Sequence, residues 1–221
     1  MNFGDVKAET KPRIVILISG SGSNMAAIVD TLKAENVEAE IAAVISNKED
    51  VSGLQKAHDR GIHTEVLSHK NFASREAYDM ALIELINDLQ ADLIVLAGFM
   101  RVLSPTFVQY FPDRILNIHP SLLPNYPGLH THQRVLDAGD TEHGVTVHFV
   151  NEELDGGPNV IQAAVEVEAG DTSASLQQKI QLQEHIIYPI AVKWFVEGRL
   201  KYSGKSALLD GKELPKSGLR L

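Results

Sequence analysis

Ile115-Leu-Asn-Ile-His-Pro-Ser-Leu-Leu-Pro124 is the stretch from which the fold and the chemistry of this chain can be worked out. Its first four residues are apolar enough to predict a short buried strand, and its two prolines end that strand because proline cannot donate to a ladder. Asn117 and His119 lie two residues apart, so their side chains point to one face. The stretch therefore predicts an amide and an imidazole side by side at the carboxyl end of a strand.

This pair of side chains lies where ligands bind in open α/β sheets. Asn117 offers a neutral N–H donor, and His119 can give or take a proton near neutral pH. Together they suit a reaction in which negative charge develops on a carbonyl oxygen. The alternative is a structural one, in which Asn117 caps a loop and His119 is bonded to the backbone.

A second informative stretch lies near the start of the chain. Residues Arg13–Ser19 form a β-branched run typical of a buried parallel strand, Gly20-Ser-Gly-Ser-Asn24 follows, and residues 25–32 have helical spacing with Ser23 or Asn24 as the expected cap. Strand, glycine-rich turn and helix can hold a phosphate. The loop is neither a full dinucleotide fingerprint nor a P-loop, which favours a phosphate monoester over NAD or ATP. A tight turn without a ligand is the alternative.

The rest of the first half alternates strands and helices, with strands expected at residues 39–46, 63–67 and 92–97 and helices at 49–60 and 73–89. This order predicts an α/β fold with a single doubly wound domain, whose mostly parallel sheet carries helices on both faces. We expect residues 1–11 to form a flexible extension and residues 12–215 to form the domain. The end beyond a hairpin at 208–214 is expected to fray.

Composition narrows the possible functions. The 221 residues carry a net charge of −9 and no cysteine, which argues against nucleic acid or an anionic membrane as a partner and against disulfides. We expect a cytoplasmic monomer or homodimer that acts on small molecules. His130, His132, His143 and His148 invite a metal site, but no familiar ligand spacing completes it, so no metal is expected.

Three longer segments carry a family resemblance: 117–132, 142–158 and 183–189. On these residues the chain resembles the phosphoribosylglycinamide formyltransferases, a folate-dependent branch of the formyltransferase family, from about Arg13 to Leu214. The tRNA formyltransferase and deformylase branches carry extra domains for which this chain has no room. Ser21 and Asn125 depart from residues expected in some relatives, but both lie in loops.

The resemblance implies that the formyl group of 10-formyltetrahydrofolate, used as a co-substrate, passes to the amine of 5-phosphoribosylglycinamide in purine synthesis. Asn117 would donate to the developing oxyanion. His119 would stabilise the same charge or protonate the leaving folate nitrogen. Asp155, which precedes two glycines and a proline, would stabilise the imidazolium of His119 and relay the amine proton.

The resemblance also assigns binding residues, with the N-terminal half of the domain binding the ribonucleotide and the C-terminal half the folate. The ribonucleotide set is Gly22, Ser23, Asn24, Gln181 and Glu184. The folate set is Arg75, Met100, Arg101, Val102, Leu103, Asn117, Asn151, Glu152, Glu153, Leu154 and Asp155. The segment 121–132, rich in proline and glycine, is expected to close over the folate.

Three other functions fit parts of the sequence. A 10-formyltetrahydrofolate hydrolase would use the same donors with water as the acceptor, although the phosphate loop favours transfer. A non-catalytic nucleotide-binding module would need the Gly20–Asn24 loop but not Asn117 or His119. Transfer RNA formylation is disfavoured by the acidic charge and by the missing extra domain.

Overall fold

The computed structural model describes residues 11–221, so the extension expected at residues 1–11 lies outside the described residues except for Lys11. The strands are β1 Arg13–Ile18, β2 Glu40–Ser46, β3 Thr64–Val66, β4 Leu93–Leu96, β5 Ile115–His119, β6 Glu142–Phe149, β7 Asn159–Glu166, β8 Leu200–Tyr202, β9 Ala207–Leu209, β10 Lys212–Glu213 and β11 Leu219–Arg220. The helices are α1 Ser23–Ala34, α2 Ser52–His58, α3 Arg75–Asp88, α4 Pro105–Tyr110, α5 Thr131–Ala138 and α6 Ser173–Val196, with a 3₁₀ turn at His69–Asn71.

The main sheet has the strand order β11-β7-β6-β5-β4-β1-β2-β3. The chain starts in the middle at β1, moves outward through β2 to β3, then crosses back to β4 and β5, and all five strands are parallel. Strand β6 alone runs in the opposite direction, between β5 and β7. The prediction of a doubly wound, mostly parallel sheet is confirmed.

Helices cover both faces of this sheet, as expected from the crossover between β3 and β4. One apolar core packs α1, α2 and α6 against one face, and it includes Leu116 and Ile118 of β5. The other core packs α3 and α4 against the opposite face, and it includes Ile115. Strand β5 is thus buried on both sides, which explains its apolar sequence.

Helix α2 is shorter than predicted. The sequence predicted a helix over 49–60, whereas the helix begins at Ser52 and ends at His58. Asp50 adopts a left-handed backbone conformation (φ 51°) and Val51 an extended one, so neither residue can belong to a right-handed helix.

The turn between β1 and α1 is held by two glycines packed against each other. Gly22 has φ 65° and precedes the first residue of α1, where no side chain caps the helix, so the expected cap by Ser23 or Asn24 is wrong. A Cβ on Gly22 would lie 2.7 Å from the Gly53 Cα, and one on Gly53 would lie 2.7 Å from the Gly20 carbonyl oxygen. Only glycine fits at either position.

The C-terminal region forms more structure than the sequence predicts. Strands β8, β9 and β10 form a small antiparallel sheet, in which the predicted hairpin turns at Asp210 and Gly211, both with positive φ. The prediction that the chain frays beyond the hairpin is wrong. Strand β11 pairs in parallel with β7 in the main sheet, where Leu219 lies opposite Ile161. No helix among residues 11–221 is long and apolar enough to cross a membrane.

Candidate active site

The three predicted catalytic residues lie close together on one face of the sheet. Side chains alternate along β5, so Asn117 and His119 share the face of Ile115, on the side of α3 and α4. The loop after β6 brings Asp155 to this face, with its Oδ2 3.4 Å from Nδ1 of His119. Both side chains are less than one-tenth exposed, so their interaction is shielded from bulk water.

His148 links Asn117 to Asp155. The register of β5 and β6 places it opposite Asn117, and its Nε2 lies 3.1 Å from the Asn117 Nδ2 and 3.8 Å from Oδ1 of Asp155. Its Nδ1 lies 2.8 Å from the Phe149 carbonyl, to which it must donate. Burial lowers the pKa of His148, which favours the neutral ring; with Nδ1 donating to Phe149, Nε2 then carries a lone pair to which Asn117 donates.

This tautomer fixes the orientation of the Asn117 amide. One N–H of its Nδ2 points to His148, and the second N–H of the same nitrogen is left for another acceptor. An oxyanion is such an acceptor. His148 was not among the predicted site residues, because its position in an alternating strand gave no sign of its partner across the sheet. The only signal in the sequence was the cluster of histidines.

A turn of the loop after β5 lies over the catalytic pair. Nε2 of His119 donates to the Tyr126 carbonyl at 2.9 Å, and the Gly128 amide donates to Oδ2 of Asp155 at 2.8 Å. Tyr126 and His130 have φ values of 54° and 58°, which side chains of this size rarely adopt. The loop thus combines backbone strain with direct contacts to two catalytic side chains.

The first part of this loop is firmly held. Ser121 and Leu123 are buried, and the Leu123 amide donates to Oγ1 of Thr146 at 3.1 Å. The Leu123 carbonyl accepts from Nε2 of Gln162 at 2.8 Å. Any closure of the predicted segment 121–132 is therefore confined to its second part, from about residue 125 onward.

The predicted ribonucleotide residues come together from opposite ends of the chain. Ser23 Oγ accepts from Nε2 of Gln181 at 3.0 Å, and Nδ2 of Asn24 donates to Oε2 of Glu184 at 2.7 Å. Gly22 precedes both at the start of α1, whose first amides have no side-chain cap. Helix α6 thus lies alongside the glycine loop, as a shared binding site requires.

Two polar groups in this cluster have properties that suit a bound ligand. Oδ1 of Asn24 is buried and has no hydrogen-bond partner among residues 11–221, so it can accept from a ligand hydroxyl. Burial raises the pKa of Glu184, and the hydrogen bond from Asn24 opposes that rise. A sugar with free hydroxyl groups matches such acceptors.

The predicted folate residues lie at the start of α3, in the turn after β4, on β5 and in the loop after β6. Arg75 is the first residue of α3, where its only ion pair within residues 11–221 is with Glu76, at 3.5 Å. The guanidinium of Arg101 stacks over the Tyr78 ring, 4.8 Å from its centroid. Arg75 therefore places a positive charge at a helix start, where the dipole disfavours it, and the Glu76 carboxylate that pairs with it is itself exposed.

Several of these residues expose apolar side chains. Met100, Val102 and Leu154 are 71%, 58% and 61% exposed, whereas Leu103 is buried in the second core. The remaining folate residues, Asn151 to Glu153, lie in the loop that carries Asp155, where Glu152 accepts from Gln109 of α4 at 2.8 Å. Exposed apolar side chains of this kind suit contact with a flat heteroaromatic ligand.

Two further histidines form a pair below the loop. Nδ1 of His132 lies 2.9 Å from Nε2 of His143. Burial lowers the pKa of both, that of His143 to about 4. Residues 11–221 contain no group of three His, Cys, Asp or Glu side chains placed to hold a metal ion, and the absence of a metal stays a prediction.

Comparison with known proteins gives evidence on the family of this chain that is independent of the site geometry. Residues 12–192 match the family described as formyl transferase. The phosphoribosylglycinamide formyltransferase of Escherichia coli is 53% identical over 205 residues, which cover 93% of this chain and 97% of the relative. That of Haemophilus influenzae is 50% identical over 206 residues, with the same coverage of both chains.

Solved structures agree with these sequence matches. The phosphoribosylglycinamide formyltransferase of Coxiella burnetii, determined in complex with CHES, superposes with a TM-score of 0.90. It is 45% identical and covers 96% of this chain and 99% of its own. The glycinamide ribonucleotide transformylase 1 of Symbiobacterium toebii superposes with a TM-score of 0.87 at 42% identity, covering 91% of this chain and 95% of its own.

Proposed function

The chain belongs to the formyl transferase family, and from this premise we propose that it transfers the formyl group of 10-formyltetrahydrofolate to the amine of 5-phosphoribosylglycinamide. The observation that carries the proposal is the constellation of Asn117 with the buried side chains of His119 and Asp155, at the edge of the sheet that also carries a glycine loop able to take a phosphate. The products are formylglycinamide ribonucleotide and tetrahydrofolate.

The transfer balances without a protein nucleophile. The substrate amine forms a bond to the formyl carbon, the bond from that carbon to the folate nitrogen breaks, and one proton passes from the amine to that nitrogen. The chain must therefore hold two substrates together, stabilise negative charge on the formyl oxygen and move one proton.

The three catalytic side chains divide these tasks among them. Asn117 donates its second amide N–H to the formyl oxygen, in the orientation that His148 fixes. His119 donates to the same oxygen or to the leaving nitrogen. Asp155, 3.4 Å from the other ring nitrogen of His119, holds the positive ring and accepts the proton of the amine, directly or through water.

The two substrates take opposite sides of this centre. The α1 amides and the Gln181–Glu184 segment of α6 hold the ribonucleotide, supported by the uncapped helix start and by the unpartnered Oδ1 of Asn24. The Met100–Leu103 turn and the Asn151–Asp155 loop hold the pterin, and Arg75 meets a glutamate carboxylate of the folate. The proposal includes one domain over residues 12–215, in which each substrate site draws on both halves of the chain and not on one half as expected from the resemblance, a cytoplasmic location and a monomer or homodimer.

Two observations favour transfer over the alternatives. A hydrolase needs no second substrate site, and the two hydrogen bonds that join Ser23 and Asn24 to α6 support the proposal of such a site for the ribonucleotide. A non-catalytic nucleotide-binding module has no use for a buried imidazole and carboxylate 3.4 Å apart.

A spectrophotometric assay of folate release tests the proposal. Wild type, His119→Ala and a control, His58→Ala, which replaces an exposed histidine of α2, are mixed with 10-formyltetrahydrofolate, with and without 5-phosphoribosylglycinamide. We expect release only with the ribonucleotide, lowered about 10²–10⁴-fold in His119→Ala and unchanged in His58→Ala. Release without the ribonucleotide would indicate a hydrolase, and no release at all would indicate a binding module.

A further inference from the structure

Ser19 joins the two loops to which the substrates are assigned. It follows β1 directly, is 5% exposed, and its amide donates to the Gly98 carbonyl at 3.2 Å. Its hydroxyl accepts from the Met100 amide at 2.8 Å and donates to Oδ1 of Asn47 at 2.6 Å. Ser19 directly precedes the Gly20–Asn24 loop and, through this hydrogen bond, also fixes the first residue of the Met100–Leu103 turn.

The Met100–Leu103 turn has few other fixed points. Within residues 11–221, the Met100 amide makes the single hydrogen bond formed by the backbone of residues 99–103. The next is made by the Ser104 amide, which donates to Oδ2 of Asp79 at 2.6 Å. The backbone groups between these two points are free for a ligand, so their position depends on Ser19 at one end and on Asp79 at the other.

The Ser19 hydroxyl is held in one orientation. A serine hydroxyl has one proton to donate, and here that proton is directed to Asn47, which is 1% exposed. The backbone carbonyl of Asn47 accepts from Nδ1 of His69 at 3.0 Å, which anchors the residue whose side chain receives this proton. Rotation of the hydroxyl would leave a buried acceptor unpaired, so the lone pair stays directed at Met100.

We infer that Ser19 is a positioning residue that holds the folate-binding turn at a fixed offset from the ribonucleotide-binding loop. This inference rests on the proposed function. Ser19 touches neither reacting group and acts through the Met100 backbone. Transfer between two bound substrates depends on the separation of the reacting atoms, which a shift of the turn would change.

Ser19→Ala tests this inference, and Ser46→Ala is its matched control. Ser46 is also a buried serine at the end of a neighbouring strand, but its hydroxyl bonds only to the Lys48 backbone. Steady-state assays of the full chain give kcat and both KM values. For Ser19→Ala we expect the folate KM to rise about tenfold, the effect of one lost hydrogen bond, and the ribonucleotide KM to stay within about twofold. Ser46→Ala should change neither KM.

A double-mutant cycle with Asn47→Ala separates positioning from simple destabilisation. If Asn47 acts by orienting the Ser19 hydroxyl, Asn47→Ala alone raises the folate KM by a smaller factor. The double variant then shows no larger rise than Ser19→Ala. If Ser19→Ala does not fold, Asn47→Ala decides alone, and an unchanged folate KM in that variant overturns the inference.

Three results would overturn the inference. One is a folded Ser19→Ala variant with a wild-type folate KM. Another is an equal rise of both KM values that Ser46→Ala reproduces, and the third is strict additivity in the cycle. An inactive wild type would count against the proposed function instead, so the two failures are distinguishable.

Discussion

At the scale of single residues, the site depends on which hydrogen atoms its side chains carry. His148 is neutral because it is buried, and its neutral ring turns the Asn117 amide so that one N–H remains for the substrate. Oδ2 of Asp155 is paired with Nδ1 of His119 and also accepts from the Gly128 amide. Replacing one polar atom in this set changes the orientation or the charge of its neighbours.

Asp155→Asn should fold normally and lose at least about a hundredfold of kcat. Asparagine keeps an oxygen for the Gly128 amide but removes the charge that holds a positive His119 and accepts the amine proton. The matched control is Asp113→Asn, since Asp113 and Asp155 both have a positive φ, of 62° and 51°, which asparagine tolerates. A kcat near wild type, measured on protein with an unchanged melting temperature, would remove Asp155 from the mechanism.

His148→Phe should lower kcat about tenfold, because the flat ring is kept but the acceptor for Asn117 is lost. The Asn117 amide can then rotate away from the formyl oxygen. His63→Phe, at an exposed histidine bonded to Glu65, serves as the control in the same assay. If both variants retain wild-type kcat, the orientation of Asn117 does not depend on His148.

At the scale of elements, the site is formed by one firmly attached segment and one strained loop. Helix α6 is rigidly attached, since the buried Tyr188 hydroxyl lies 3.0 Å from the Leu96 carbonyl and 2.9 Å from that of Leu116. Tyr188 thereby joins α6 to the last residue of β4 and to the second residue of β5. The loop from Asn125 to His130 is strained and covers His119 and Asp155. Substrate can reach Nε2 of His119 only if the contact with the Tyr126 carbonyl breaks.

Hydrogen exchange should detect this release. We expect the Gly128 amide, bonded to Asp155, to change its exchange rate when folate and ribonucleotide analogues are added. The Leu123 amide, bonded to the buried Thr146, should keep its rate and provides an internal control. Identical Gly128 rates with and without ligands would mean that the loop does not move during binding.

At the scale of the whole molecule, the sequence predicted the architecture better than it predicted the long-range contacts. Buried β-branched strands and the spacing of Asn117 and His119 are local patterns, and the structure confirms the fold that they predict. His148 and the Ser19 network depend on which strands become neighbours, as does the pairing of β11 with β7. Two residues of strand are too short for a periodic signal, so β11 could not be foreseen.

Global stability should fall as pH drops from about 6.5 towards 4. Burial lowers the pKa of His143 from 6.5 to about 4 in the folded chain, so in this range the unfolded chain binds the proton and the folded chain does not. Buried His132 and His148 shift in the same direction. Urea unfolding should show that the free energy of unfolding falls less between pH 7.5 and pH 5.0 for His143→Asn than for wild type. Equal losses would show that His143 does not contribute.

The contact between Gly22 and Gly53 has an evolutionary consequence. A side chain at either position would clash with the backbone around the other. A substitution of one glycine is therefore not tolerated while the other stays in place. Gly53 has no assigned part in binding, yet selection should keep it as constant as Gly22. A survey of natural variants or a saturation mutagenesis library would therefore rank Gly53 with the ligand contacts, although what is being preserved there is the absence of a methyl group.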